Sequence, residues 1–453
     1  MTERIVIRGG RVIDPANGID GRAGVLIEDG RIAAVGADLP SGAAREVDAA
    51  GLIVAPGFVD LHTHLRDPGL EYKEDIASGT LAAARGGFTT VCAMPNTEPA
   101  MDTRSVVEYV LRRAAEVASV RVLPIGAVTR ARAGRELTEF GDLAGAGCIA
   151  FSDDGAPVWD ATVMRRALEY ARAFGLPIID HCEDPSLAKD AVMHEGWVST
   201  RLGLRGAPAA AEEAAVMRDL ALAEATGGHV HIAHISTRGA VEAVRRAKAR
   251  GLRVTAEVTP HHLALTHEAV AFGDGAGGLR YDTNAKVNPP LRTQDDVDAC
   301  VAGLAEGTID CVATDHAPHA FIEKEREFDE AAMGISGLET AFGLCMRLVP
   351  ERIDITMLVE RMALGPVRAL ALDRAVPGIG TLAVGAPADV VLLDPDADWV
   401  VEPETFASKG KNTPLAGATL RGRVRMTIAA GRIVYDAERE EVRQFAGTEA
   451  ARG

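Results

Sequence analysis

Residues 59–69 read VDLHTHLRDPG. An apolar start followed by two histidines two positions apart is the pattern of a buried strand whose last side chains point the same way, because alternate residues of a strand share a face. His62 and His64 are thereby expected to converge on one point, with Arg66 following two residues later. Two neutral imidazoles at that spacing can hold one divalent cation. An H-x-H pair alone is equally what two hydrogen-bonded strand histidines look like.

The same kind of apolar run recurs along the chain. LIVAPGFVDLHTH, FTTVCAMPNT, RVLPIGAVT, GCIAFSDDG, LPIIDHCED, HVHIAHIST, RVTAEVTPHH and DCVATDHAPH follow one another along the chain. Between them lie alanine-rich amphipathic segments such as TRSVVEYVLRRAAEVA and ATVMRRALEYARAFG. Strand-like runs alternating with helical periodicity predict an α/β fold with parallel strands, and the number of runs suggests a (β/α)8 TIM barrel. Both chain ends read differently. RIVIRGGRVID, AGVLIEDGRIAAVG, ADVVLLDPDADWVV and TLRGRVRMTIAAGRIVYD are β-rich and punctuated by Gly and Asp. The expected organisation is a small β-sandwich made jointly by residues 1–55 and 366–453, beside a barrel of residues 56–365. The Gly-rich AFGDGAGGLRYD reads as a surface loop.

The chain has 453 residues and a formal net charge of −17, from 48 basic and 65 acidic side chains. That balance argues against non-specific nucleic-acid or anionic-membrane partners. An anionic substrate then needs a local cationic pocket. No run is long and apolar enough for a membrane span, and the N-terminus lacks the apolar core of a signal peptide, so a cytoplasmic protein is expected. Cys92, Cys148, Cys182, Cys300, Cys311 and Cys345 show no paired spacing and read as small buried hydrophobes of a reducing compartment.

Polar residues gather at the C-terminal ends of the runs, where barrel active sites form. His62 and His64 end the first run, Asp153 and Asp154 the fourth, His181 the fifth, His234 the sixth and Asp315 the eighth. Four histidines and two carboxylates can hold two metal ions about 3.5–4 Å apart. Spacing alone leaves Asp153 and Asp154 as alternatives.

The series GFVDLHTHLRDPG, MPNT, FSDDG, HCED, HIAHIST, VTPHHL, KVNPPLR and ATDHAPH, with GTLAVGAPADVVLLD near the C-terminus, resembles the amidohydrolase superfamily and, within it, the type I dihydroorotases of bacteria. The resemblance implies metal ligation by His62, His64, Asp154, His181, His234 and Asp315, with one or two Zn2+ ions. It implies Asp315 as the catalytic proton shuttle. It implies substrate contacts from His64, Arg66, Asn96, Asn288, His319, Met333 and Gly334. The implied activity is reversible closure of N-carbamoyl-L-aspartate to L-dihydroorotate in pyrimidine biosynthesis, through a metal-activated hydroxide. A homodimer and a complex with aspartate transcarbamoylase are the partners it raises. Many relatives of hydantoinase or allantoinase type bridge their metals with a carboxylated lysine. This chain has no lysine between Lys73 and Lys189, which favours an aspartate bridge. The competing expectations are another cyclic-amide hydrolase and a non-catalytic partner of the transcarbamoylase. AFIEKEREFDEAAMGISGLET is expected to cover the site, and it carries Ala332-Met333-Gly334 where the family has Pro-Phe-Gly. His194, His229, His231 and His267 read as structural, and His261 and His262 as supports of the site.

Overall fold

The computed structural model describes residues 4–40, 45–273 and 279–439. All eight apolar runs of the middle segment form parallel strands. They are β1 (Phe58–Thr63), β2 (Phe88–Ala93), β3 (Arg121–Pro124), β4 (Phe151–Ser152), β5 (Ile178–Asp180), β6 (Val230–Ile232), β7 (Val254–Val258) and β8 (Cys311–Val312). Strands β1, β2 and β3 make one sheet in which β2 is central, and β4 to β8 make a second in chain order. Isolated parallel bridges connect the free edges of these sheets, Gly126 with Phe151 and Thr63 with His316.

Helices fill the crossovers. They include α1 (Ile76–Arg85), α2 (Arg104–Val117), α3 (Phe140–Ala146), α4 (Ala161–Phe174), α5 (Ala209–Thr226), α6 (Arg238–Ala249) and α7 (Gln294–Glu306). Helix α4 shows why such segments are helical. The Asp160 carboxylate caps the Thr162 and Val163 amides, Gly175 closes the helix with φ 68°, and Met164, Ala167, Leu168 and Ala171 form the buried stripe. Adjacent residues of one strand serve different cores. Ile178 of β5 packs with the helices, while Ile179 joins Val59, Leu61, Cys92, Leu123 and Cys311 in a second cluster. Helix α8 (Leu364–Leu370) supplies Val367, Ala369 and Leu370 to that second cluster. Phe58 and Phe88 pack edge to face at 5.7 Å, and burying each contributes roughly 1.5–3 kcal/mol.

The terminal segments form two further sheets. One has the order Arg31–Gly36, Gly24–Glu28, Ile5–Arg8, Arg45–Asp48. The other runs Arg432–Asp436, Thr419–Ala429, Val390–Val400, Ile53–Pro56, Arg11–Asp14, Ile19–Arg22. Ile53–Pro56 pairs antiparallel with the C-terminal strand Val390–Val400 just before the chain enters β1. One apolar cluster joins Ile5, Ile7 and Ile27 of the first sheet to Val54, Val390 and Ile428 of the second. The six cysteines are free and buried. The Gly-rich stretch departs from a plain loop, since Ala271–Gly273 pairs antiparallel with Leu279–Tyr281. Residues 274–278 of that stretch lie outside the described residues.

Candidate metal centre

Every residue of β1 is buried, and its end is pinned by backbone bonds to the segment after β8. The His64 amide donates to the His316 carbonyl at 2.9 Å. The Asp60 carboxylate accepts from the His62 amide at 3.2 Å and the Thr314 amide at 2.9 Å, so one side chain ties together the two strand ends that carry His62 and Asp315. Burial pushes the Asp60 carboxyl up to about 7. Arg66, His234 and Asp315 all adopt positive φ, at 62°, 32° and 45°. Three non-glycine residues in the left-handed region at one strand rim are strain of the kind a functional site retains. Gly69 closes the turn after Arg66 with φ 95°, and a Cβ there would lie 1.9 Å from the Glu98 carbonyl oxygen.

Asp154 stands at the centre. Its Oδ2 lies 3.2 Å from His62 Nε2 and 3.5 Å from His64 Nε2. Its Oδ1 lies 3.3 Å from His234 Nε2 and 3.8 Å from His181 Nδ1. Each oxygen thus faces a different pair of imidazoles, the placement a carboxylate would need to bridge two cations. Asp315 Oδ1 adds a second carboxylate to the first pair, 3.0 Å from His64 Nε2 and 3.5 Å from His62 Nε2. His181 Nδ1 and His234 Nε2 are 3.0 Å apart. Asp153 points elsewhere: its carboxylate accepts from the Thr129 amide at 3.0 Å and from the Thr129 hydroxyl. His62 Nε2 is buried with no hydrogen-bond partner. A buried lone nitrogen between two carboxylates, within a set of four imidazoles, is a donor set suited to divalent cations.

The carboxylates of the cluster attract positive charge, which is a proton on His62 in the absence of a cation. Burial alone would lower the His62 pKa, yet Asp154, Asp315 and Glu257 raise it well above the usual imidazole value. Burial would raise the Asp154 carboxyl, but His62 and His234 hold it well below the usual range, and Asp315 is depressed in the same way by His62 and His64. His64 is held down, chiefly by burial.

Around this cluster lie the other expected side chains. Arg66 is only 7 % exposed. No hydrogen bond or ion pair reaches its guanidinium among the described residues, and its Nε is buried without a partner. Burial brings the Arg66 pKa down to about 10. Asn96 Oδ1 lies 2.9 Å from His64 Nδ1. Asn288 Nδ2 lies 3.1 Å from His181 Nε2 and donates to Glu183 Oε2 at 2.9 Å. His262 Nε2 meets the Pro289 carbonyl at 3.0 Å and so supports the Asn288 turn. His319 Nε2 donates to the Met333 carbonyl at 2.9 Å, which ties His319 to the segment expected to cover the site. The Gly334 amide is already committed to the Lys286 carbonyl at 2.9 Å, so it has no free N–H to offer a ligand. Lys324, buried, donates to the carbonyls of Lys286, Ala332 and Gly334 and fixes that segment from behind.

Two site residues escaped the sequence reading. Glu257 of β7 accepts from His62 Nδ1 at 2.7 Å, and its second oxygen lies 3.1 Å from His231 Nε2. His231 was expected to be merely structural; through Glu257 it stands directly behind a candidate ligand. The available signal was a lone carboxylate inside the apolar run RVTAEV, since a buried carboxylate must be partnered. His194 sits apart, 3.2 Å from Arg292, and His267 packs on it. A third group of potential ligands, Asp180, Cys182 and Asp219, is already served by the Arg218 guanidinium, 2.6 Å from Asp219 and 3.3 Å from Asp180.

A family model described as dihydro-orotase-like matches residues 51–240. A dihydroorotase from Anaeromyxobacter sp. (strain K) is 55% identical over 96% of this chain and 99% of its own. One from Syntrophotalea carbinolica is 52% identical over 95% of this chain and 99% of its own. Among solved structures, the L-hydantoinase (dihydropyrimidinase) from Arthrobacter aurescens superposes with a TM-score of 0.85 at 25% identity, covering 99% of both chains. A D-hydantoinase superposes with a TM-score of 0.80 at 27% identity, covering 95% of both. With more than half of its residues shared with a full-length relative, this chain belongs to the dihydroorotase family.

Proposed function

We propose that this chain is a dihydroorotase, a metal-dependent cyclic amide hydrolase that interconverts N-carbamoyl-L-aspartate and L-dihydroorotate. The observation that carries the substrate assignment is Arg66: a buried, unpartnered guanidinium beside the imidazole–carboxylate cluster, in a chain of this family. A planar fork of donors suits the carboxylate that both the open and closed forms carry. Asn96 and His319 border the same anion pocket in this reading, and Asn288 holds the ring edge.

His62, His64 and Asp315 would hold one cation and His181 and His234 another, with Asp154 between them. Zn2+ suits these ligands, and Co2+ or Mn2+ could replace it. Such ions, when bound, lower the pKa of water and polarise the amide carbonyl. The protein's own part is to bind, orient and move a proton. Arg66 anchors the carboxylate so that the scissile amide faces the cluster. The Asp315 carboxylate takes a proton from the attacking water and passes it to the departing ring nitrogen, and in closure it returns that proton. Closure consumes one carboxylate charge and one proton and releases water.

In the same reading the two parallel sheets and their bridges are a closed (β/α)8 barrel of residues 56–365, with a β-sandwich from residues 1–55 and 366–453. Because α8 packs against the barrel strands, the second boundary is better drawn after it. Among the described residues no helix is long and apolar enough to cross a membrane, which accords with a cytoplasmic enzyme. A homodimer and assembly with aspartate transcarbamoylase complete the proposal, and sedimentation with and without that partner tests both. Turnover of L-dihydroorotate by the purified protein, with none of hydantoin or dihydrouracil, is the expected assay result; the reverse preference would refute it.

A further inference from the structure

Behind His62 runs a continuous line of hydrogen-bonded side chains that the reaction above does not use. His62 Nδ1 lies 2.7 Å from Glu257 Oε1, and Glu257 Oε2 lies 3.1 Å from His231 Nε2. His231 Nδ1 lies 2.8 Å from Thr255 Oγ1, which in turn lies 2.9 Å from His229 Nε2. Glu257, His62 and His231 are wholly buried. Glu257 Oε1 also accepts from the backbone amide of His234 at 3.4 Å, so this carboxylate touches residues of both imidazole pairs.

The inventory of donors along this line has one simple solution. A carboxylate offers only acceptors, so His62 and His231 must each present an N–H to Glu257, through Nδ1 and Nε2 respectively. His231 Nδ1, at 2.8 Å, is then the nearer acceptor for the Thr255 hydroxyl hydrogen, with the Ala369 carbonyl farther off at 3.3 Å. The Thr255 oxygen accepts from His229 Nε2–H. With that assignment the contacts from His62 Nδ1 to His229 Nε2 are all satisfied. The consequence falls on His62. With Nδ1–H held by Glu257, the nitrogen that must give up its proton to ligate is Nε2, the buried atom that faces Asp154 and Asp315 and has no hydrogen-bond partner.

We propose that Glu257 is a positioning residue, itself oriented by His231 and Thr255, that locks His62 in the tautomer whose Nε2 is free to ligate a divalent cation. The inference rests on the metal-holding reading above. A carboxylate facing the far nitrogen also raises the basicity of the ligating one.

The test uses full-length protein loaded with Zn2+ and labelled with 15N at histidine. Glu257→Gln keeps the shape and one oxygen acceptor; Glu257→Leu keeps the bulk and removes the acceptors. Chelator competition should show Zn2+ retention about 10–100-fold weaker in the Leu variant and a smaller loss in the Gln variant. The spectrum should show a downfield His62 Nδ1–H resonance in the parent chain, moved upfield in Gln and absent in Leu. If the Leu variant fails to fold, the Gln variant carries the test alone. Parent-like retention and an unmoved resonance in the Gln variant would overturn the inference while leaving the metal reading intact. A parent chain that takes up no Zn2+ would overturn both.

Discussion

Replacing Arg66 with Met should make the ligand-free enzyme more stable and the working enzyme nearly inert. The guanidinium is buried and unpartnered, and burial, only partly offset by the attraction of Asp315 and Asp154, brings its pKa from 12.5 down to about 10. That fall corresponds to about 3 kcal/mol of net disfavour for the cation in the folded state. Because the folded pKa is the lower one, the penalty is complete at neutral pH and is relieved only as pH rises from about 10 toward 12.5. Methionine has a similar reach and no charge, so Arg66→Met should raise the stability of the unliganded protein by up to about 3 kcal/mol in urea unfolding. The same change removes two charge-assisted hydrogen bonds to a carboxylate, at about 1.5–3 kcal/mol each. The expected loss in kcat/KM for dihydroorotate is therefore about 10²–10⁴-fold. A variant that is less stable than the parent, or that turns over dihydroorotate within about threefold of it, would refute the assignment of Arg66 as a preformed anion site.

Four further outcomes follow from particular contacts. Asp154→Asn should lose metal on dialysis, whereas Asp153→Asn should keep it, because only Asp154 faces the imidazoles; elemental analysis of the two variants decides this. Asp315→Asn should lower kcat by about 10²–10⁴-fold while calorimetry still detects dihydroorotate binding. Glu339 is a buried carboxyl pushed up to about 7 by burial, so its folded pKa exceeds its unfolded one and stability should fall as pH rises from about 4.5 to 7. Glu339→Gln should flatten that part of the stability profile in denaturant titrations. Since closure consumes a proton, the equilibrium ratio of open to closed substrate should rise about tenfold per pH unit near neutrality, measured by chromatography at equilibrium.

The fold and the outline of the site were legible because both depend on local pattern. Each apolar run became a strand, since six buried residues in a row, as in FVDLHT, suit a parallel strand covered on both faces. The histidines and aspartates at the run ends met because parallel strands bring their C-terminal ends to one rim. What spacing could not reach was orientation. Asp153 and Asp154 are neighbours in sequence and point to different partners, Thr129 and the imidazoles, a distinction set by the turn after β4. Glu257 and His231 lie inside their apolar runs rather than at the run ends, where a polar residue carries no positional signal. The pairing around the Gly-rich stretch depends on contacts that glycine content alone conceals. The Gly334 amide meets the carbonyl of Lys286, a partner 48 positions away that no local pattern reveals.

The most direct measurement is the metal content of the purified protein together with its rate of dihydroorotate opening, before and after exhaustive chelation and after return of Zn2+. Stoichiometric metal, loss of turnover on its removal and recovery on its return are the expected results. Full activity in metal-free protein would contradict the assignment of His62, His64, Asp154, His181, His234 and Asp315 as a metal centre.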